Sequence, residues 1–261
     1  MTTDERSVFT MPPEETGVLL IHGFTGSPLE FTPIETVLIQ QGYKARVVVL
    51  PGHGESPKES LPQSSALAIL DHCTAEYEEL AASCQSVVVV GHSLGGICTM
   101  LIASIQPEKL AGVVGFCTPY EYAYFYNYFH GLISLPFTHL VRAIYLAPRD
   151  KIQATRPSLK PWELPKLLEQ SRVLFSMMKE RIPQICVPVS LAHSRYDLTI
   201  PYSEMEKLAG KIRPNAPVKT TTLYQSGHRV FPVSPDMDEA LSIIQDFLRY
   251  DCKAMVAGRQ T

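Results

Sequence analysis

Six short runs rich in β-branched residues recur along the chain: Gly17–His22, Ala45–Leu50, Ser86–Gly91, Leu110–Cys117, Val187–His193 and Val218–Leu223. Segments with helical spacing or turn residues separate them, which is the pattern of βα units on a parallel sheet. The runs are nearly continuous in apolar residues rather than alternating, as strands covered by helices on both faces require. Helix starts are legible between them. Ser27-Pro28-Leu29-Glu30 reads as a capping box, and Thr32-Pro33-Ile34-Glu35 repeats it five residues later. Each puts a hydroxyl at the cap, Pro in the first turn and Glu three positions after the cap. The spacing predicts a short turn, then a helix from Pro33 to Gln41 ended by Gly42, whose missing side chain suits a helix stop. Further helices are predicted over Ala66 to Ala82, Ile97 to Gln106 and Met237 to Tyr250.

The alternation breaks between Pro119 and Arg181. This segment opens with seven aromatics in ten residues (Tyr120, Tyr122, Tyr124, Phe125, Tyr126, Tyr128, Phe129) and closes on a stripe of Leu164, Leu167, Leu168, Leu174, Phe175 and Met178. Spacings of three, four and seven mark that stripe as helical. A strand resumes directly afterwards, so the segment reads as a helical insertion in one domain: 1–118 and 182–261 form the core and 119–181 the insertion.

At 261 residues, 45% hydrophobic, the chain has enough apolar material for a packed core and is not a disordered one. A net charge of −3 and a pI near 6.2 argue against a nucleic-acid partner. The insertion is the exception: it carries nine Lys+Arg against five Asp+Glu, leaving −7 on the remainder. No apolar run approaches the roughly 18 residues of a membrane span. The opening MTTDERSVF is acidic and lacks the apolar stretch of a secretory signal. Six widely spaced cysteines without a CxxC pair fit reduced thiols better than a zinc site, although the even count leaves disulfides open. A cytoplasmic monomer or homodimer is expected.

The most informative six residues are Gly91-His92-Ser93-Leu94-Gly95-Gly96, after a four-valine strand and before a helical run. G-x-S-x-G in that context is a nucleophile elbow. A serine at so sharp a turn needs small neighbours to let helix and strand approach, and the helix N-terminus beside it favours developing negative charge. A serine hydroxyl is a weak nucleophile without a base, and the base needs an orienting acid. The run Val187–His193 leads into Ser194-Arg195-Tyr196-Asp197, and the last strand leads into Tyr224-Gln225-Ser226-Gly227-His228. Asp197 and His228 thus fall on loops at the edge where open α/β sheets build their sites. Asp236 and Asp238 are fallback acids, better suited to capping the last helix. The tetrahedral intermediate of acyl transfer needs two fixed N–H donors. Leu94 is one candidate; Phe24, in the loop His22-Gly23-Phe24-Thr25-Gly26 after the first strand, is the other.

These residues together resemble a known family. LLIHGFTGSPLEF, LPGHG at Leu50–Gly54, GHSLGG, DLTIP at Asp197–Pro201 and SGH at Ser226–His228 look like the α/β-hydrolases, in particular the bacterial carboxylesterase and monoacylglycerol-lipase group. The resemblance runs from Gly17 to Leu248 and is weakest across the insertion. It implies Ser93 as nucleophile, Asp197 as acid, His228 as base, Phe24 and Leu94 amides as oxyanion hole, and 119–181 as a cap over the acyl pocket. It also implies a mostly parallel sheet of about six strands, because the chain starts at what would be the third strand of larger relatives.

The expected activity is hydrolysis of short-to-medium carboxylic esters, on a small-molecule substrate, with no cofactor and no metal, since the serine performs the covalent step. Acyl thioesters would need the same groups, so a thioesterase is the alternative within the class; a hydrophobic-ligand binder is the alternative outside it. A carboxylate-nucleophile enzyme is excluded by Ser93, and no HExxH-type ligand spacing occurs. In the insertion, Tyr122, Phe125 and Phe129 share a helical face and are candidate substrate contacts, although packing is the commoner use of such a face.

Overall fold

Alternation within the apolar runs decides how the sheet is covered. In the computed structural model, which describes residues 12–24, 26–53, 65–123, 164–232 and 234–252, six strands form one sheet. They are β1 (Thr16–Ile21), β2 (Lys44–Val48), β3 (Ser86–His92), β4 (Leu110–Phe116), β5 (Val189–Ser194) and β6 (Val218–Leu223). All pair in parallel, in the order β2-β1-β3-β4-β5-β6. Successive side chains point to opposite faces. Leu19, Ile21, Val87 and Val89 therefore join one apolar cluster, and Val18, Leu20, Val88 and Val90 join another. The four valines of β3 are fully buried, each worth about 1.5–3 kcal/mol relative to exposure.

Helices cover both faces. On the first lie α2 (Ala66–Ala82), α3 (Leu94–Ser104), α4 (Leu164–Arg181) and α5 (Ser203–Ala209); on the second lie α1 (Thr32–Gln40) and α6 (Met237–Asp246), the latter ending in a π turn over Phe247–Asp251. The chain runs from β1 to β2 on one side, then returns to place β3 on the other side of β1. The crevice beyond the C-terminal ends of β1 and β3 is thus the topological switch point, where sheets of this kind carry their sites.

Some local features depart from the sequence expectation for physical reasons. β5 starts at Val189, because Pro188 has no N–H to give the ladder. The second capping box is not formed. Phe31 is already in the right-handed helical region, so Thr32 lies inside α1 with no side-chain cap, and the Glu35 carboxylate instead accepts the Val47 N–H at 3.2 Å. The first box is half formed, with Ser27 accepting the Leu29 N–H at 3.3 Å. Gly42, at φ +94°, stops α1 as expected.

Of the segment 119–181, residues 124–163 lie outside the described residues, and with them Phe125, Phe129 and most of the expected cap. Its described ends are tied to the core. Leu168, Leu174, Phe175 and Met178 of α4 are buried in the same cluster as α2 and α3. At the other end, the buried Glu204 of α5 accepts the amides of Tyr120 and Glu121, and Lys179 pairs with Glu121 at 2.6 Å. All six cysteines are free thiols. No helix among the described residues is long and apolar enough to cross a membrane.

Candidate active site

The turn at Ser93 is set by sterics. Ser93 takes φ 54° and ψ −116° between β3 and α3, a sparsely populated region costing on the order of 1–3 kcal/mol. Its neighbours leave no alternative to glycine. A Cβ at Gly95 would sit 2.1 Å from Ile21 O, one at Gly91 2.3 Å from Gly95 O and from Thr99 Oγ1, and one at Gly96 2.1 Å from Thr118 Oγ1. Helix α3 therefore crosses β1 and β3 in close contact, and the Ser93 N–H is fixed by Phe116 O at 2.9 Å.

Asp197 and His228, distant in sequence, meet Ser93 at the same edge. His228 Nδ1 lies 2.7 Å from Asp197 Oδ2, and His228 Nε2 lies 3.0 Å from Ser93 Oγ. A carboxylate only accepts, so Nδ1–H donates to Asp197 and Nε2 is left to accept the Ser93 hydroxyl proton. The other oxygen of Asp197 accepts the amides of Thr199 and Ile200, both at 2.8 Å. Burial opposes ionisation of Asp197, but hydrogen bonds from His193 and His228 and the Ile200 amide outweigh it and hold the carboxyl below the ordinary carboxylate range. Ser93 and Asp197 are buried, while the His228 side chain is 18% exposed, so the imidazole is the member of the group open to solvent.

The first loop is oriented by His22. Leu50 N–H donates to His22 Nε2 at 3.4 Å, which leaves the proton on Nδ1, and Nδ1 donates to Gly23 O at 3.0 Å. Gly26 N–H donates to the same carbonyl at 3.0 Å. In a trans peptide the carbonyl and the following N–H point in opposite directions. Tying Gly23 O to His22 and Gly26 therefore turns the Phe24 N–H the other way. A Cβ on Gly23 would lie 3.2 Å from Ser93 Cβ, so this peptide adjoins Ser93. Leu94 N is the first amide of α3, one of those with no acceptor inside the helix.

Other groups around the site are not apparent from sequence. The Asp236 carboxylate, expected to cap α6, makes no side-chain cap. It turns back and accepts the amides of Gln225 (3.0 Å) and Ser226 (2.6 Å), in the loop that carries His228. Ser194 Oγ donates to Ser226 O, and Ser226 Oγ to Ser234 Oγ at 2.9 Å. His92 Nε2 donates to the carbonyl of His228 at 2.8 Å, with the two rings 5.1 Å apart. Burial and the neighbouring His228 push His92 down to about 3, so it stays neutral. His193 Nε2 lies 3.0 Å from Ile200 O and 3.2 Å from Asp197 Oδ2. Cys117, at φ 45°, sits beneath these groups with its thiol pushed well up by burial and by Asp197. His92 and His193 stand beside the elbow and the acid in sequence, yet nothing in their spacing tells a packed histidine from a positioned one.

The sequence candidates separate into those brought together and those not. Ser93, Asp197 and His228 form one hydrogen-bonded chain, with Leu94 and the Phe24 peptide next to it. Tyr122 packs on α4: its hydroxyl donates to Leu168 O at 2.9 Å and its ring meets Phe175 edge-on at 5.5 Å.

Comparison with known proteins follows this architecture. A model of the Alpha/beta hydrolase family matches residues 18–240. A thermostable monoacylglycerol lipase of Bacillus sp. (strain H-257) is 33% identical over 98 residues, 38% of this chain and 38% of that protein. A carboxylesterase of Bacillus subtilis (strain 168) is 30% identical over 115 residues, 42% of this chain and 44% of that protein. The matched segments thus span less than half of either relative. Among solved structures, a monoacylglycerol lipase from Paleococcus ferrophilus superposes with a TM-score of 0.67 at 20% identity, over 92% of this chain and 96% of that one. The chain belongs to the alpha/beta hydrolase family.

Proposed function

We propose that this alpha/beta hydrolase cleaves short-to-medium-chain carboxylic esters through an acyl-enzyme on Ser93, with Asp197 as acid and His228 as base. The observation that carries the reading is the continuous relay Asp197 Oδ2–His228 Nδ1 (2.7 Å) and His228 Nε2–Ser93 Oγ (3.0 Å). A ligand-binding protein has no need of such a relay, nor of a strained serine. The matches to a monoacylglycerol lipase and a carboxylesterase support the same reaction class.

In the first half-reaction Ser93 Oγ attacks the ester carbonyl carbon as its proton passes to His228 Nε2, and the carbonyl π electrons move onto oxygen. The Phe24 and Leu94 amides hold that oxyanion. Asp197 stabilises the imidazolium without taking its proton. Collapse breaks the bond to the alcohol oxygen, which leaves with the proton from His228. Water then gives a proton to His228 and attacks the acyl carbon. The second collapse releases the acid and returns the proton to Ser93. The same groups would serve an acyl thioester, which differs in its leaving group. The segment 119–181 acts in this reading as a cap over the acyl side of the site, in a small-molecule hydrolase working in the cytoplasm.

The test is kcat/KM across p-nitrophenyl esters from acetate to palmitate, with Ser93→Ala as control. An optimum at short or medium chains that vanishes in the variant is the expected result. Rising activity toward palmitate would move the reading to a lipase. Turnover of acyl-CoA alone, or none of either with no labelling of Ser93 by a fluorophosphonate, would overturn it.

A further inference from the structure

A second imidazole, His193, reaches the oxygen of Asp197 that orients the base. It lies on β5, four residues before the acid, and its side chain is fully enclosed. Its Nε2 is 3.0 Å from Ile200 O and 3.2 Å from Asp197 Oδ2. A backbone carbonyl can only accept, so Nε2 carries the proton and shares it between the two oxygens. Asp197 Oδ2 consequently receives two imidazole N–H groups, one from His193 and one from His228 at 2.7 Å. Ile200 is held twice over, its N–H on Asp197 Oδ1 and its carbonyl on His193. The acid, its loop and the preceding strand are thereby closed into one ring of hydrogen bonds.

We infer that His193 is a positioning residue for the acid: its Nε2–H fixes the rotation of the Asp197 carboxylate toward His228 and draws off part of the negative charge on Oδ2. This rests on the triad reading above. A carboxylate that loses one of two donors on an oxygen interacts more strongly with the donor that remains. Without the His193 proton, Asp197 stabilises the imidazolium form of His228 more, and a higher pH is needed to generate the free base. Packing alone would not move the pH dependence in this way. The groups around the Asp197–His228 pair are His92 on β3, Cys117 after β4 and His193 on β5; Arg229 follows the base in sequence and acts on His92, and Asp236 acts on Cys117 and holds the Gln225 and Ser226 amides. Burial keeps His92 neutral, down at about 3, and the Cys117 thiol protonated. Neither changes charge across neutral pH, so neither sets the acid limb.

The experiment compares kcat/KM against pH for the full-length wild type, His193→Phe and His193→Gln, each titrated with a fluorophosphonate to count active Ser93. Glutamine can place an N–H near the position of Nε2, whereas phenylalanine keeps the ring volume without a donor. His193→Phe should lose about tenfold at its optimum, the scale on which outer-shell partners act at other sites, and its acid limb should move to higher pH. His193→Gln should restore both. An acid limb in His193→Phe that overlays the wild type overturns the inference, as does an equal shift in both variants or a loss confined to Tm. Should His193→Phe fail to fold, ¹⁵N-histidine spectra of the wild type decide, since His193 must carry a proton on Nε2 and its absence sinks the idea. If the wild type hydrolyses no ester and Ser93 is not labelled, the triad reading itself has failed; if it does both while the limb stays put, only the role of His193 has.

Discussion

The turn at Ser93 and the loop that carries His228 lie side by side but are held in different ways. Ser93 is placed by volume: Gly91, Gly95 and Gly96 sit where any Cβ would overlap backbone or a buried threonine. His228 is placed by polar contacts from outside its own loop. Asp236 holds the amides of Gln225 and Ser226, Ser194 holds the carbonyl of Ser226, and His92 reaches the carbonyl of His228 across 136 residues of sequence. Steric placement is unforgiving because repulsion rises steeply with overlap. Placement by hydrogen bonds is graded, since each is worth about 0.5–1.5 kcal/mol net. The turn at Ser93 should therefore fail all at once and the His228 loop by degrees.

The largest expected effect separates chemistry from placement. Ser93→Ala should cost on the order of 10⁴–10⁶ in kcat while leaving Tm within a few degrees, because the turn depends on the glycines. Gly95→Ala should instead remove the fold. Its new Cβ would lie 2.1 Å from Ile21 O, a clash with backbone that no rotamer relieves, and loss of the cooperative thermal transition or of soluble protein is the measurement. A Tm for Gly95→Ala close to wild type would break the contrast.

Asp197→Asn should lower kcat by roughly 10²–10⁴, less than Ser93→Ala, because it disturbs the orientation and charge of the imidazole but leaves the nucleophile. Asp236→Ala probes the graded side. It leaves two amides without their acceptor, one of them in the buried Ser226, at about 1–3 kcal/mol each where desolvation is complete. Tm should fall by several degrees and kcat by roughly tenfold, with KM little changed, because the displaced group is His228, the base of the proposed mechanism. Unchanged kcat with lowered Tm would mean that Asp236 supports α6 and not the site.

Acid should act on the site's surroundings before it unfolds the rest. Burial holds His92 down to about 3 and His53 to about 4, against an ordinary value of 6.5. In each case the unfolded chain binds the proton first as pH falls. The stability contributed by the neutral folded forms is therefore complete above 6.5 and is lost progressively toward their folded values. Asp197, held below the ordinary carboxylate range, adds a loss that begins only below about pH 4. Tm should be flat near neutrality and decline from about pH 6.5 downward, and His53→Gln should flatten that decline. The smallest effect belongs to Lys179→Met. Its ion pair with Glu121 is more than a third exposed on each side, so less than about 1 kcal/mol is at stake.

Much of the molecule was legible from local pattern. β-branched runs marked all six strands: the four central ones are buried along almost their whole length, where little else fits, and the edge strands β2 and β6, more exposed, keep the β-branched residues that suit a pleated surface. Gly91, Ser93 and Gly95 announced the elbow, because a sterically forced turn imposes residue types at fixed offsets. Asp197 and His228 could be found by following each strand to the loop at its end. The errors share one cause. Thr32–Glu35 and Asp236 were read as helix caps, a local use, whereas Glu35 serves β2 and Asp236 serves the base loop. His193 and Tyr122 likewise have partners that their neighbours in sequence do not reveal.

The sequence by itself determined the strands, the turn at Ser93 and the placing of Asp197 and His228 on loops at strand ends, since these follow from backbone sterics and hydrophobic periodicity over a few residues. Only the tertiary structure decided which buried polar groups meet. A hydrogen bond requires two atoms about 3 Å apart at a defined angle, and for His92, His193 and Asp236 that coincidence exists only once the sheet has brought its strand ends together.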